Sequence, residues 1–395
     1  MRTRLLVSVA TLVTMAAASV ALVPTVAAKD HLPAAGKDAT DVIVFNGQGN
    51  DLDAYEGDPA FKTQKLYTAR SKDPKGFDIN AQICFFGKDG RTFIAGEDTG
   101  QPDPIQGWRI FRLKGSKVGK LKAKQIGKLQ PTFQGATDNA ENYGCGLLSD
   151  GRLLTTDIGN QAEGEGDGQL IVWFPPFTKG FTTVPKGTVG AVPYCKVDIA
   201  IGTSGGIAVD DDDNVYVASA RGETAGVLEY AGSDFPTGPT AAKGCDGTDG
   251  TGAPMATDIE REQFIALGDG LVSPNAIVPS LDGGWYVSSV FTGVINEYGA
   301  DGTYSRTILE PPAGEALGAE PFSTGTPLGL GIAPDGTLYF ADIGLVISDK
   351  GIGPGSGTGT VRRITFVDGE PQAPETMATG LAFPDGIGIF VPGKR

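Results

Sequence analysis

The sequence predicts an all-β chain, a six-bladed β-propeller closed by pairing of its N- and C-terminal strands in one blade. Two observations carry this. One phrase recurs along the chain: an apolar run, an Asp-Gly turn, then a second β-rich run. The two ends of the chain also supply complementary parts of one further blade.

The phrase appears as AQICFFGKDGRTFIAGED from Ala81 and as YGCGLLSDGRLLTTDIGN from Tyr143. GGIAVDDDDNVYVASARG from Gly205 follows, with Asp213-Asn214 read as its turn. NAIVPSLDGGWYVSSVFTG from Asn275 and LGLGIAPDGTLYFADIG from Leu328 complete five copies. Asp-Gly between two Val/Ile/Tyr-rich runs is a strong hairpin signal, because the left-handed backbone of such turns suits Gly. Third runs follow at 108–113, 169–174, 226–231, 293–298 and 360–366. Turn positions 89, 150, 213, 282 and 335 lie 53 to 69 residues apart, room for about four strands per unit. ATGLAFPDGIGIFV at 378–391 is an inner-strand phrase with nothing after it. DVIVFNGQGNDLDAYE at 41–56 is a second and third strand with nothing before it. Joined, they make the sixth blade and remove the free sheet edges. Five and seven blades are the neighbouring counts.

Residues 1–28, with Arg2 and Arg4 ahead of an apolar run and Val26-x-Ala28 at its end, read as a secretory signal. The alternative is an uncleaved anchor. Residues 29–40 are expected as a flexible segment and 41–395 as the propeller. The expected location is secreted, periplasmic or cell-envelope, with no membrane span after cleavage. Cys84, Cys145, Cys195 and Cys245 make an even count for an exported chain. Cys84 and Cys145 hold similar places in successive repeats and Cys195 and Cys245 flank the third. Pairing 84–145 and 195–245 is therefore favoured over the other connectivities and over free thiols.

The composition excludes much. A net charge of −15, with 32 Lys+Arg against 47 Asp+Glu, argues against nucleic acid as a partner. The single histidine, His31, precedes the ring and removes multi-His metal sites and a His base. A small neutral or metal-bridged substrate and a monomer are expected.

The informative residues stand on one rim. Before the inner strands come Asn80, Asn142, Gly205, Asn275, Leu328 and Asp385. Four of these six carry side-chain oxygens, the donors a hard cation such as Ca²⁺ uses; turn formation is the other use of Asn and Asp there. After the second strands stand Glu97-Asp98, Asp157, Arg221, Ser288-Ser289 and Asp342. Asp157 and Asp342, at matching places, read as loop caps. Arg221 is the one cation among them and could orient an anionic or carbonyl group. Glu163, Glu165 and Asp167 read as a solvated acidic loop.

SPNAIVPSLDGGWYVSSVFTGVINEY, PLGLGIAPDGTLYFADIG and ATGLAFPDGIGIF resemble the senescence-marker-protein/gluconolactonase superfamily and its NHL, strictosidine-synthase-like and paraoxonase-like relatives. The resemblance implies Ca²⁺, sometimes Zn²⁺, in a central channel, held by a Glu, two Asn and an Asp, and hydrolysis of lactones or phosphoesters. Asn275 in PNAI matches the family's Asn, and Asp385 in PDGI matches its Asp, the proposed base or nucleophile. Asn142 matches one residue off register, and the family's Glu has no counterpart, since Glu56 follows a strand.

The leading expectation is a secreted metal-dependent lactone or ester hydrolase. Asn80, Asn142, Asn275 and Asp385 would hold the metal, and Asp385 and Arg221 would serve catalysis. The alternatives are a non-catalytic propeller binding a ligand or protein on the same rim, and a metal-free strictosidine-synthase-like lyase or synthase.

Overall fold

The structure is a computed structural model. It describes residues 42–49, 51–57, 62–68, 79, 81–96, 108–129, 142–157, 168–177, 192–250, 252–311, 325–348, 351–354 and 357–393. The expected signal segment, residues 29–40 and Asn80 lie outside these, as do Glu97-Asp98, Glu163, Glu165 and Asp167.

The described chain is all-β, with two short 3₁₀ turns at Gly232–Asp234 and Ala241–Lys243. Six four-stranded antiparallel units form the ring. The first contains β1 (Ile43–Gln48), β2 (Asp51–Glu56) and β3 (Thr63–Thr68), completed from the other end of the chain. The second is β4 (Cys84–Phe86), β5 (Thr92–Gly96), β6 (Trp108–Lys114) and β7 (Lys122–Leu129). The third is β8 (Asn142–Leu147), β9 (Leu153–Asp157), β10 (Gly168–Trp173) and β11 (Tyr194–Ile201). The fourth takes β12 (Ser204–Val209), β13 (Val215–Ser219) and β14 (Gly226–Tyr230). An insertion with β15 (Gly247–Thr248) and β16 (Pro254–Met255) then joins the third sheet, before β17 (Glu262–Ala266) completes the fourth. The fifth is β18 (Pro274–Pro279), β19 (Trp285–Ser289), β20 (Val294–Tyr298) and β21 (Tyr304–Leu309).

The sixth starts with β22 (Pro327–Ile332) and β23 (Leu338–Asp342). A separate hairpin, β24 (Leu345–Ser348) and β25 (Gly351–Pro354), precedes β26 (Gly359–Ile364). A short pair, β27 (Phe366–Val367) and β28 (Glu370–Pro371), precedes β29 (Glu375–Leu381). The last strand, β30 (Pro384–Phe390), is the inner strand of the first blade, paired with β1 from Ile43↔Phe390 onward. The ends of the chain therefore meet in one blade, as the split phrases predict.

The repeat is legible in the turns. Gly90, Gly151, Gly283 and Gly336 all have φ between 59° and 87°. In the remaining copy the left-handed residue is Asp213, at 65°. Asp212-Asp213 thus fills the Asp-Gly place, one residue earlier than Asp213-Asn214. Asp tolerates that conformation better than most residues, so the turn survives without Gly.

Cores lie between neighbouring blades. Phe45 packs against Phe85, Phe93 and Phe390 at centroid distances of 5.0, 5.6 and 6.4 Å, joining the first two blades. Inner strands approach so closely that a Cβ on Gly386 would lie 1.8 Å from the carbonyl oxygen of Ala81. Disulfides join Cys84 to Cys145 and Cys195 to Cys245, the favoured pairing. The second, with the buried Lys196–Asp249 pair at 2.5 Å, anchors the insertion carrying β15 and β16 to the third blade.

Candidate functional site at the channel mouth

Each of five inner strands breaks register at the same place. On β8 the pairing runs Asn142↔Asp157 and then Cys145↔Thr155, so three inner-strand steps oppose two. The same shift falls after Ser204, Pro274 and Pro327, and β30 shifts against β1 between Pro384 and Ile387. Bulges of this kind re-aim a side chain. The residues they re-aim are Tyr143, Gly205, Asn275, Leu328 and Asp385. On the second blade Gln82 holds the matching place, two residues before disulfide-bonded Cys84 as Tyr143 is two before Cys145.

Asn142 is therefore one residue away from the mouth position, and Tyr143 occupies it. Asn142 opens β8 opposite Asp157 and is buried. A signal for Tyr143 was present in the sequence. Each of the five bulge residues is followed by a small one, Gly144, Gly206, Ala276, Gly329 and Gly386, where the next blade comes close. Aligning the copies on those residues, rather than on Asn, puts Tyr143 in phase.

Hydroxyls on the second strands hold this layer together. Thr156 accepts the Gly144 N–H at 2.8 Å and donates to the Gly205 carbonyl of the next blade at 2.6 Å. Ser288 does the same between the Ala276 N–H, at 3.0 Å, and the Leu328 carbonyl, at 2.7 Å. Gln82 accepts the N–H groups of Cys145 and Ile207 at 3.0 and 3.2 Å, tying three blades.

Three mouth residues from alternate blades converge. The Tyr143 hydroxyl donates to Oδ1 of Asp385 at 2.8 Å, and the Asn275 amide hydrogen-bonds the same phenol. Asp385, Tyr143 and Asn275 are 3%, 7% and 8% exposed. Burial, then the Asp385 charge and hydrogen bond, hold the phenol well above its ordinary pKa of 10.0, against the opposing Asn275 bond. The phenol therefore stays protonated near neutrality and is a donor. Around it pack Val290, Leu328, Ile343, Leu345 and Phe383, an apolar collar drawn chiefly from the fifth and sixth blades. Phe383, two residues before Asp385, is held at a φ of 51°, a conformation bulky residues rarely adopt. Leu345 opens the β24–β25 hairpin.

The other rim residues do different work. Asp342 caps its own loop: Oδ1 accepts the N–H of Thr326 at 3.0 Å, its hydroxyl at 3.1 Å and the Gly344 N–H at 2.9 Å. Asp157 takes Gln169 at 3.1 Å. Arg221 is exposed and its guanidinium lies 5.8 Å from the Phe291 ring centre, rather than against Asp385 or Tyr143. Ser204 donates to the Asp157 carbonyl.

Calcium takes six to eight oxygens. At this mouth Gly205 and Leu328 bring no side-chain oxygen, and Gln82 commits its oxygen to two backbone N–H groups. Asp385 and Asn275 remain, and both are turned to the Tyr143 phenol. Among the described residues, no three His, Cys, Asp or Glu side chains converge as a metal would need. The described donor set does not fit Ca²⁺.

No protein-family model and no curated protein matches the chain. Solved structures do. A protein of unknown function from Bacteroides caccae is 11% identical over 88% of this chain and 98% of its own, with a TM-score of 0.50. A luciferin-regenerating enzyme is 13% identical over 88% and 92%, with a TM-score of 0.53. A calcium-binding protein, regucalcin, from Agrobacterium tumefaciens is 15% identical over 77% and 79%, with a TM-score of 0.42. At these identities the first two speak for the fold alone.

Proposed function

We propose that the chain is an exported propeller enzyme of the hydrolase or lyase kind, cleaving small esters or lactones with an apolar body at the channel mouth. The observation that carries this is the buried Tyr143–Asp385 hydrogen bond across the mouth. A carboxylate and a neutral phenol in contact form a base and a hydrogen-bond donor, the two groups acyl transfer from an ester requires. Asp385 takes a proton from water as the water oxygen bonds to the carbonyl carbon. Once Asp385 is protonated, the Tyr143 hydroxyl is free to donate to the oxygen gaining charge. Collapse breaks the carbon–oxygen bond, and Asp385 returns the proton to the leaving alkoxide. Asn275 keeps the phenol aimed. Arg221 has no part in this scheme.

The collar of Val290, Leu328, Ile343, Leu345 and Phe383 favours an alkyl or aryl body over a polyol. A sugar hydroxyl buried there without a partner costs about 1–3 kcal/mol. Export is supported by the N-terminal segment and by the two disulfides, which persist in oxidising compartments. No helix of the described residues is long and apolar enough to cross a membrane. A closed ring needs no partner to cover its edges, which supports a monomer.

The test is steady-state kinetics on alkyl lactones and esters of increasing chain length, beside gluconolactone. Asp385→Asn should lower kcat/KM by at least about 100-fold. Each added methylene should raise wild-type kcat/KM about fourfold until the collar is filled. Equal turnover by Asp385→Asn, or preference for gluconolactone, refutes the assignment.

One feature favours the alternative of a propeller that only binds on this rim. Leu267, Val272 and Phe291 are exposed, the last under Arg221. The loops that carry them are joined by the 2.6 Å bond from the Thr292 hydroxyl to the Gly270 carbonyl. Turnover of no substrate in the panel, with tight binding abolished by Phe291→Ser, would favour that alternative.

A further inference from the structure

We infer that the Tyr143 phenol stands where the resemblance implies a divalent cation, and that this phenol is what makes the mouth independent of calcium. The inference rests on the Asp385–Tyr143 pair being the working site. Three observations lead to it.

The first is position. Tyr143 sits at the bulge that carries Asn275 and Asp385 on the alternate blades, so its side chain enters the channel at their level. The second is the direction of the hydrogen bonds. Asp385 accepts the phenol proton and the Asn275 amide N–H faces the phenol oxygen, so among the described mouth residues the one carboxylate is committed to a neutral donor. A cation there would have to displace the phenol and then find further oxygens that Gly205 and Leu328 lack. The third is the setting. The ring packs with Leu328, Ile343, Leu345, Val290 and Phe383, so an ion entering would lose water ligands to carbon.

The chemistry is consistent with this exchange. A divalent ion polarises a carbonyl oxygen; a protonated phenol can donate to the same oxygen. Tyr143 is thereby assigned as a catalytic residue that carries part of the electrostatic work.

Cation binding by the purified chain separates this inference from the substrate assignment, because it is read without turnover. Calcium would be titrated calorimetrically into wild-type protein and into Tyr143→Asn, with thermal melting in calcium and in chelator alongside. Wild type should show no stoichiometric site below millimolar calcium, and its melting should be unmoved by chelator. Tyr143→Asn adds an amide oxygen and removes the phenol proton from Asp385. It should bind calcium at least about tenfold more tightly than wild type and melt higher in its presence. One calcium bound by wild type at micromolar concentration would overturn the inference, as would a folded Tyr143→Asn that gains no affinity. Should that variant fail to fold, the wild-type titration and chelator melts decide alone.

Discussion

Asp342 and Asp385 stand on the same rim, are both almost fully buried, and belong to neighbouring units of one repeat, yet they differ in what they face. Asp342 ends a second strand and is satisfied locally, by Thr326 and Gly344. Asp385 lies on an inner-strand bulge and is met by a phenol 242 positions away in sequence. A carboxylate wrapped by its own loop's N–H groups is a structural cap. A carboxylate met by a hydroxyl from across a channel can exchange that partner for a substrate. Burial by itself does not distinguish the two; the source of the hydrogen bonds does.

The contrast can be broken most sharply by Asp342→Ala. It would strand the Thr326 and Gly344 N–H groups and leave buried Arg362 without the nearby charge of Asp342. The expected loss is about 2–4 kcal/mol of unfolding free energy, measured by urea denaturation. A loss below about 0.5 kcal/mol would mean that Asp342 is not the cap described. Tyr143→Phe should cost less, about 1–3 kcal/mol, because one hydroxyl is removed and the ring still fills the collar. Its kcat on the best ester should nevertheless fall about tenfold or more. Unchanged kcat with reduced stability would return Tyr143 to a purely structural role.

The smallest effect is the pH dependence of Asp342. Burial raises its carboxyl above the ordinary 3.8, outweighing the hydrogen bonds from Gly344 and Thr326 and the charge of Arg362. The folded chain thus holds this proton more tightly than the unfolded one. The resulting stabilisation is complete below pH 3.8 and is lost as pH rises through the higher folded value. The stability of wild type minus that of Asp342→Asn should therefore rise as pH falls from neutral toward 4. A flat difference would show that the carboxyl is not shifted.

Much of the fold was legible in the sequence because a repeat states the same physical requirement several times. Asp89-Gly90, Asp150-Gly151, Asp282-Gly283 and Asp335-Gly336 mark the left-handed turns, and the copy without Gly slips by only one residue. The candidate site was half legible. Asn275 and Asp385 stand at the inner-strand starts where they were expected. Residue type points to Asn142 as a ligand, whereas the structure turns neighbouring Tyr143 toward Asp385. A bulge, which residue type does not announce, decides which of the two turns into the channel.

Local chemistry written in the sequence thus determined the β-rich repeat and the blade shared by both ends, and it favoured six units and the cysteine pairing that the structure holds. Turns, strand alternation and closure depend on neighbours in the chain or on identical copies of them. The tertiary structure alone decided which side chains meet at the axis. Asp385, Tyr143 and Asn275 come from three separate blades, and their hydrogen bonds exist only once the ring brings those blades around one channel. The same closure surrounds them with Leu328, Ile343 and Leu345. At that mouth the described residues set a phenol against a carboxylate within an apolar collar.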